Sequence, residues 1–413
     1  VASQLRIMSP CILLAAVNGV QMARLTTSRR LVVPVLSPAI SSLTVIALIA
    51  YHSFTPSLAA HGMLPMRIKP EHVLACGTTL GAAIQCFVLG AFTTEHYKSG
   101  SFQLRSLASL GSTRVQQSMK MLVHACMTSG VLQIAASTDL FFASFSPNAA
   151  AGLGYANLLA TTPLAILSTS LMVPLVPLFA KHREPVEWHA LRKLVSKVLL
   201  VTFAMAVLVA AILAPLAHPI VSLVFERQAF DANAREVVSA MFSVYITGGF
   251  TYIARDLVVR VFYAIGDGFS PLRTSILTVV VNAALNWLFA WKFALGSQGI
   301  ALSTVVTNGV STLVLMHALT RKIGGLDTQG VVKHLFTISV AGMLSFAATT
   351  GTHGYLISSQ LFTAGFLAAN PWARGALFLC LSALSGAAAF LSAVLIGFRG
   401  DPLLRDFVDA ATR

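Results

Sequence analysis

Asp139 is the residue in this sequence best placed to do chemistry. It lies near the middle of an apolar run, in the stretch Leu132 to Phe145, with Gln133 about two turns before it. A second polar group sits in the hairpin Ala254 to Leu288. Its first apolar arm carries Arg255, Asp256 and Arg260, its turn is Gly266-Asp267-Gly268 with Pro271, and its second arm carries Asn282 and Asn286. Asn282 and Asn286 are one helical turn apart and share a face, and Asp256 and Arg260 have the spacing of a helical ion pair. Ser303 and Thr304 add hydroxyls on the next apolar run. Ionisable groups are expensive inside hydrocarbon and mark pathways or binding sites there. The competing reading is interhelical hydrogen bonding, worth about 0.6 kcal/mol on average. For Arg260 it is a side chain that snorkels to the head groups. Arg255 lies deeper and on another face, which suits a cavity.

Apolar helices must position these residues. Of 413 residues, 56% are hydrophobic and only 10% charged, and the mean hydropathy is +0.78. Globular chains carry about 25% charged residues. Runs of about 20 apolar residues, the length that crosses a bilayer, recur along the whole chain. The expectation is an all-α, polytopic membrane protein with about eleven spans. They fall near residues 7–25, 31–51, 73–93, 117–145, 151–180, 195–223, 236–264, 271–291, 298–319, 332–356 and 373–397. Gly266 and Gly268 read as turn residues with unusual backbone angles, and Pro271 as the opening of a new helix. Prolines 163, 174, 177, 215 and 219 are expected to kink helices, and Phe225 to Asp231 reads as an interfacial outer turn.

The net charge of +14 does not point to nucleic acid, because the basic residues lie in the short connections between spans. One set of connections holds Arg24, Arg29 and Arg30, then Lys98 to Lys120, Lys181 to Lys197, Arg273, Arg321 to Lys333, and Arg399 to Arg413. The alternate set is much poorer in cations. By the positive-inside rule the rich set is inner, which places Val1 outside and Arg413 inside. That start implies an odd number of spans upstream. Cys11, Cys76, Cys86, Cys126 and Cys380 lie in apolar runs without pairing motifs, so disulfides and metal sites are not expected. No phosphate-binding loop, dinucleotide fingerprint or catalytic triad is present, and an enzyme is not expected. An arginine ending one helix with prolines opening the next recurs at Arg24, Pro34 and Pro38 and again at Arg260 and Pro271, an echo of the internal repeats of transporters.

Several stretches, in order, resemble the MurJ (MviN) family of lipid II flippases, within the multidrug/oligosaccharidyl-lipid/polysaccharide exporter superfamily. They are Gln133-Ile134 with Asp139; Gly154-Tyr155-Ala156, Thr162-Pro163-Leu164 and Val173-Pro174-Leu175-Val176-Pro177; and Arg260 to Asp267 followed by Ser270-Pro271. The resemblance implies a two-lobe transporter fold of fourteen helices, of which this chain aligns from about the fourth. Residues 1–100 would complete the N-terminal lobe, 101–325 would form the C-terminal lobe, and 326–413 would add two helices. The implied activity is movement of an undecaprenyl-linked peptidoglycan precursor by alternating access, with arginines pairing its pyrophosphate.

It also implies a site for a coupling Na⁺ at Asp139, Asn282 and Asn286, with Ser303 or Thr304 adding a hydroxyl, since hard cations take oxygen ligands. Asn286 stands where some relatives carry Asp. Asn157-Leu158 stands where the family commonly has an Asp-Arg pair, which leaves Arg255, Arg260 and Asn157 as the expected cargo-binding residues. No other cofactor is expected. The expected partners are a lipid-linked anionic substrate and membrane lipids, without nucleic acid, for a monomer in a bacterial cytoplasmic membrane or a plastid envelope. The other readings are a cation-coupled exporter of small amphipathic molecules and a non-transporting paralogue.

Overall fold

A computed structural model describes residues 2–27, 32–59, 70–94, 113–146, 148–182, 184–227, 230–325, 331–359 and 370–397. All the regular structure among them is helical. Among the described residues ten helices are long and apolar enough to cross a membrane, and a bent pair brings the number to eleven if it is one span. Each of the eleven apolar runs read from the sequence coincides with one of these. The chain divides into two compact units, residues 1–111 and 112–413.

The first unit holds α1 (Ala2–Met8), α2 (Pro10–Thr27), α3 (Val32–Ala59) and α4 (Pro70–Thr94). Helix α4 lies against the other three through short polar links. Thr79 donates to the Ile7 carbonyl at 2.9 Å, Asn18 to the Ala82 carbonyl at 3.4 Å, and Gln85 to Ser37 Oγ at 3.2 Å. Ile12, Leu13 and Phe87 are exposed, as suits a surface solvated by lipid.

The second unit holds α5 (Thr113–Ala143), α6 (Ala149–Lys181), α7 (Trp188–Leu213), α8 (Ala217–Phe225), α9 (Ala232–Thr247), α10 (Gly249–Ala264), α11 (Phe269–Asn286), α12 (Gly296–Ile323), α13 (Val331–Ser358) and α14 (Pro371–Gly397). One buried cluster gathers Ala156, Leu164, Phe242, Ile246, Ile253 and Ile300 from α6, α9, α10 and α12. Another gathers Met172, Phe179, Leu191, Leu257, Phe262 and Leu319. Helices α13 and α14 pack on α7 through Ile338, Ala341 and Phe390. In lipid such packing is driven by close van der Waals contact rather than by escape from water.

The span read as 236–264 is two helices, α9 and α10, bent by 48°. The bend falls at Gly248-Gly249, where a Cβ on Gly248 would come within 2.2 Å of Val305 and one on Gly249 within 2.6 Å of Leu164. Only glycine lets α12 and α6 press that close. The span read as 195–223 is corrected too. Helix α7 begins at Trp188 and ends at Leu213, and α8 is a separate short helix beyond Pro215. The expected kinks divide in the same way. Helix α6 runs without a break through Pro163, Pro174 and Pro177, whereas Pro215 sits in a real interruption and Pro219 in the first turn of α8, where a proline leaves no helical acceptor unpaired. Between α8 and α9, Glu226 pairs with Arg235 at 2.7 Å, and Asp231 caps α9 by accepting from the Ala234 amide at 2.8 Å. Hydrogen bonds from Ser222 and Arg235 hold the Glu226 carboxyl below its ordinary range.

Candidate functional site

Helices α5, α11 and α12 bring Asp139, Asn282, Asn286, Ser303 and Thr304 together. Oδ1 of Asp139 accepts from Asn282 Nδ2 at 3.0 Å and from Asn286 Nδ2 at 2.7 Å. Oδ2 accepts from Thr304 Oγ1 at 2.9 Å. Asn286 Nδ2 also reaches Asn282 Oδ1 at 3.2 Å, and Ser303 Oγ donates to Asn286 Oδ1. Asn286 and Ser303 are 0% exposed, Asn282 2% and Asp139 7%. The pattern is internally consistent: each amide nitrogen has an oxygen to donate to and each amide oxygen a donor to accept from.

The local sequence places these groups. Asn282 and Asn286 stand one above the other on α11. Directly after Asn286 the backbone widens into a π-helical turn, Trp287–Lys292, with Phe293 N reaching the Leu288 carbonyl at 2.9 Å. Such turns are uncommon and recur at functional sites. A cavity of about 320 Å³ opens beside Asp139, lined also by Asn157, Tyr245, Thr278, Thr307 and Asn308. Asn157, exposed on α6, is thus on the wall of the cavity that Asp139 faces. Thr307 is 3% exposed, and its hydroxyl has no hydrogen-bond partner among the described residues.

The oxygens of Asp139, Asn282, Asn286, Ser303 and Thr304 are the kind of donor set a hard cation takes. Among the described residues no three His, Cys, Asp or Glu side chains form a metal-binding group, so the set does not suit a transition metal. As arranged here, both amides turn their nitrogens toward the carboxylate. A cation there would need the amide oxygens instead, a half-turn of each side chain.

The arginines form a different constellation. Arg255 Nε donates to Ser311 Oγ at 2.9 Å and Nη2 to Ser275 Oγ at 3.1 Å, which ties α10 to α12 and α11. Arg260 Nε donates to Asp256 Oδ2 at 3.1 Å, the ion pair the spacing announced, and Ser168 of α6 donates to the same oxygen at 2.6 Å. Neither arginine lines the cavity beside Asp139. Sequence reasoning did not single out Ser168, Ser275 or Ser311. Hydroxyls in apolar helices are common, and only their depth relative to an arginine or aspartate would have marked them.

The turn between α10 and α11 completes the hairpin. Gly266 has φ 84°, a backbone only glycine adopts freely. Gly268 does not; a Cβ there would lie 2.9 Å from His124 Cβ, so it is small because α5 presses on it. Asp267 accepts from the Phe269 and Ser270 amides at 3.1 and 3.0 Å, from Ser270 Oγ at 2.8 Å and from Lys322 Nζ at 2.7 Å. Partial burial pushes its carboxyl up, but Lys322 and Ser270 outweigh that and hold it below the ordinary carboxylate range.

A bundle of apolar spans that buries a carboxylate bonded by side chains of two other helices, beside a cavity with several polar groups on its wall, has the character of a helical membrane transporter. The family model described as "Lipid II flippase MurJ" matches residues 1–371. A "Probable lipid II flippase MurJ" of Synechocystis sp. is 34% identical over 369 residues, 89% of this chain and 67% of the relative. The "Lipid II flippase MurJ" of Burkholderia cenocepacia is 24% identical over 318 residues, 77% of this chain and 59% of its own length. The chain therefore spans about two thirds or less of the length of these relatives. A solved structure, "Lipid II flippase MurJ, inward closed conformation", shares the fold with a TM-score of 0.66 at 19% identity, covering 96% of this chain and 74% of that one. The chain belongs to the MurJ family.

Proposed function

We propose that this protein moves a lipid-linked anionic precursor, the lipid II named for its relatives, across the membrane by alternating access. The observation that carries the reading is the family match over residues 1–371. The bacterial cytoplasmic membrane, or a plastid envelope in a plant or alga, is the setting that reading gives it, and it acts as a monomer. Residues 1–100 belong to the N-terminal lobe, 101–325 form the C-terminal lobe, and 326–413 contribute two additional helices.

In this reading Asp139, Asn282, Asn286, Ser303 and Thr304 would hold a coupling Na⁺, which would supply a positive charge to neutralise the buried carboxylate. The protein's part is to supply the oxygens. Asn282 and Asn286 would offer theirs only with their amides turned over from the arrangement seen here, in which the nitrogens face Asp139. Arg255, Arg260 and Asn157 take the cargo, the arginines through the fork that matches a pyrophosphate. A guanidinium already bonded to two serines is pre-oriented rather than free, which lowers the entropy lost on binding.

The test is growth. The full-length protein, expressed in a bacterium depleted of its own lipid II flippase, should restore cell-wall synthesis and division. Normal membrane levels without rescue would sink the reading.

A further inference from the structure

We propose that the outer ends of α8, α13 and α14 form a site for the phosphate head group of an anionic membrane phospholipid, apart from the cavity beside Asp139. A second cavity, of about 390 Å³, lies between these helices. Leu223, Leu356, Phe378 and Leu379 give it an apolar floor, and Arg374 and His353 supply its cationic and hydrogen-bonding groups. No acidic residue lines it among the described residues. The nearest carboxylate along α8, Glu226, is committed to Arg235 and Ser222.

Arg374 is the residue that points to a ligand. Among the described residues no side chain hydrogen-bonds or ion-pairs with its guanidinium; only its backbone amide is bonded, to the Asn370 carbonyl at 3.1 Å. This contrasts with Arg255 and Arg260, which each have side-chain partners. On the cavity wall His353 Nδ1 lies 3.4 Å from Ser382 Oγ, whose own proton goes to the Phe378 carbonyl at 2.7 Å, so Arg374 is the group left to meet an anion.

Position selects the ligand. Helix α13 rises from the connection that holds Arg321, Lys322 and Lys333, and α14 returns to the one that holds Arg399 and Arg405. By the positive-inside rule the cavity therefore opens at the outer boundary. At that depth a cation beside an apolar floor fits a phosphate with glycerol and the start of an acyl chain attached. The volume holds a head group, not a whole lipid. A free phosphate would share the charge chemistry but leave the floor uncovered.

The test uses the full-length protein in detergent, with phosphatidylglycerol as the probe and lipid retention counted by native mass spectrometry. Wild type should retain one phosphatidylglycerol in preference to phosphatidylcholine. Arg374→Gln should lower its occupancy about tenfold, as loss of a charge-assisted hydrogen bond predicts. Arg374→Lys should fall between the two, and Lys292→Ala, a cation outside the cavity on the same side, should match wild type. Circular dichroism and elution volume confirm that each variant is folded. Equal retention by wild type and Arg374→Gln would overturn the site. Inorganic phosphate displacing the lipid at millimolar concentration, or raising the unfolding temperature as much as phosphatidylglycerol does, would overturn the lipid assignment.

Discussion

Two aspartates in the same unit are saturated with donors in opposite ways. Asp139 draws all its hydrogen bonds from neutral side chains on remote helices; Asn282 is 143 positions away in the chain. Asp267 draws three of its bonds from residues two or three positions on, and the fourth from a lysine. One is a carboxylate inside a bundle that forms no ion pair among the described residues. The other caps a helix at the membrane boundary and carries its own cation. A buried charge held by neutral donors is a poised element, because an added cation would find it uncompensated. A charge already paired at a helix start has no such capacity and serves the turn.

The largest effect should come from removing the poised one. Asp139→Ala would orphan the amide donor of Asn282, strip Asn286 of one of its two acceptors and leave Thr304 only the Ile300 carbonyl, and each orphaned group in so buried a place costs about 1–3 kcal/mol. Interhelical bonds in membranes average less, so the expected loss is roughly 2–4 kcal/mol, read as a lower unfolding midpoint in detergent. Asp139→Asn keeps the shape and loses the charge. It should keep most of the stability and abolish most of the transport at equal abundance. An unchanged midpoint in Asp139→Ala, or undiminished transport in Asp139→Asn, would make the two aspartates alike.

The same contrast explains what the sequence could and could not tell. The eleven spans were legible because a run of about 20 apolar residues has few other uses. The Asp256–Arg260 pair and the turn at Gly266 were legible because their partners are neighbours in the chain. The shared face of Asn282 and Asn286 could be read from their spacing, but not that it points at Asp139, since that depends on how α5 docks on α11. The bend at Gly248 was hidden because the neighbours that leave no room for a side chain there, Val305 and Leu164, lie elsewhere in the chain. Prolines misled for a related reason. Pro163 is carried within a continuous helix and Pro215 is not, although the residue is the same. The roles given to the polar residues as ion and cargo ligands went beyond periodicity, and they rest on the family.

Arg255 sharpens the comparison as the inverse of Asp139, a cation held by the neutral hydroxyls of Ser275 and Ser311. If it also holds the cargo phosphate, Arg255→Ala should weaken lipid II retention about ten- to a hundredfold, the value of a charge-assisted hydrogen bond of roughly 1.5–3 kcal/mol. Arg255→Lys keeps the charge without the fork and should lie between. Native mass spectrometry, normalised to folded protein, reads the outcome. Retention that stays intact while the unfolding midpoint falls would restrict Arg255 to tying α10 to α11 and α12.

The smallest effect belongs to Asp267, and its dependence on pH is the diagnostic. Asn is nearly as good as Asp at accepting from the first amides of a helix, so Asp267→Asn should keep the cap and lose only the pairing with Lys322. A partly exposed pair of this kind is worth about 0.2–1 kcal/mol. The folded carboxyl lies below its ordinary range. Its ionisation therefore stabilises the protein above the unfolded value of about 3.9, and that contribution disappears as pH falls through the lower, folded value. Wild type should exceed Asp267→Asn by a constant small margin near neutrality, and the margin should close in acid. Because the pair is partly exposed, added salt should shrink it as well. Lys322→Ala should reproduce the loss, and the double variant should lose little more, since one interaction is removed only once. A margin that persists unchanged in acid would mean that the side chain works through the backbone cap alone, and that Lys322 stands beside it without effect.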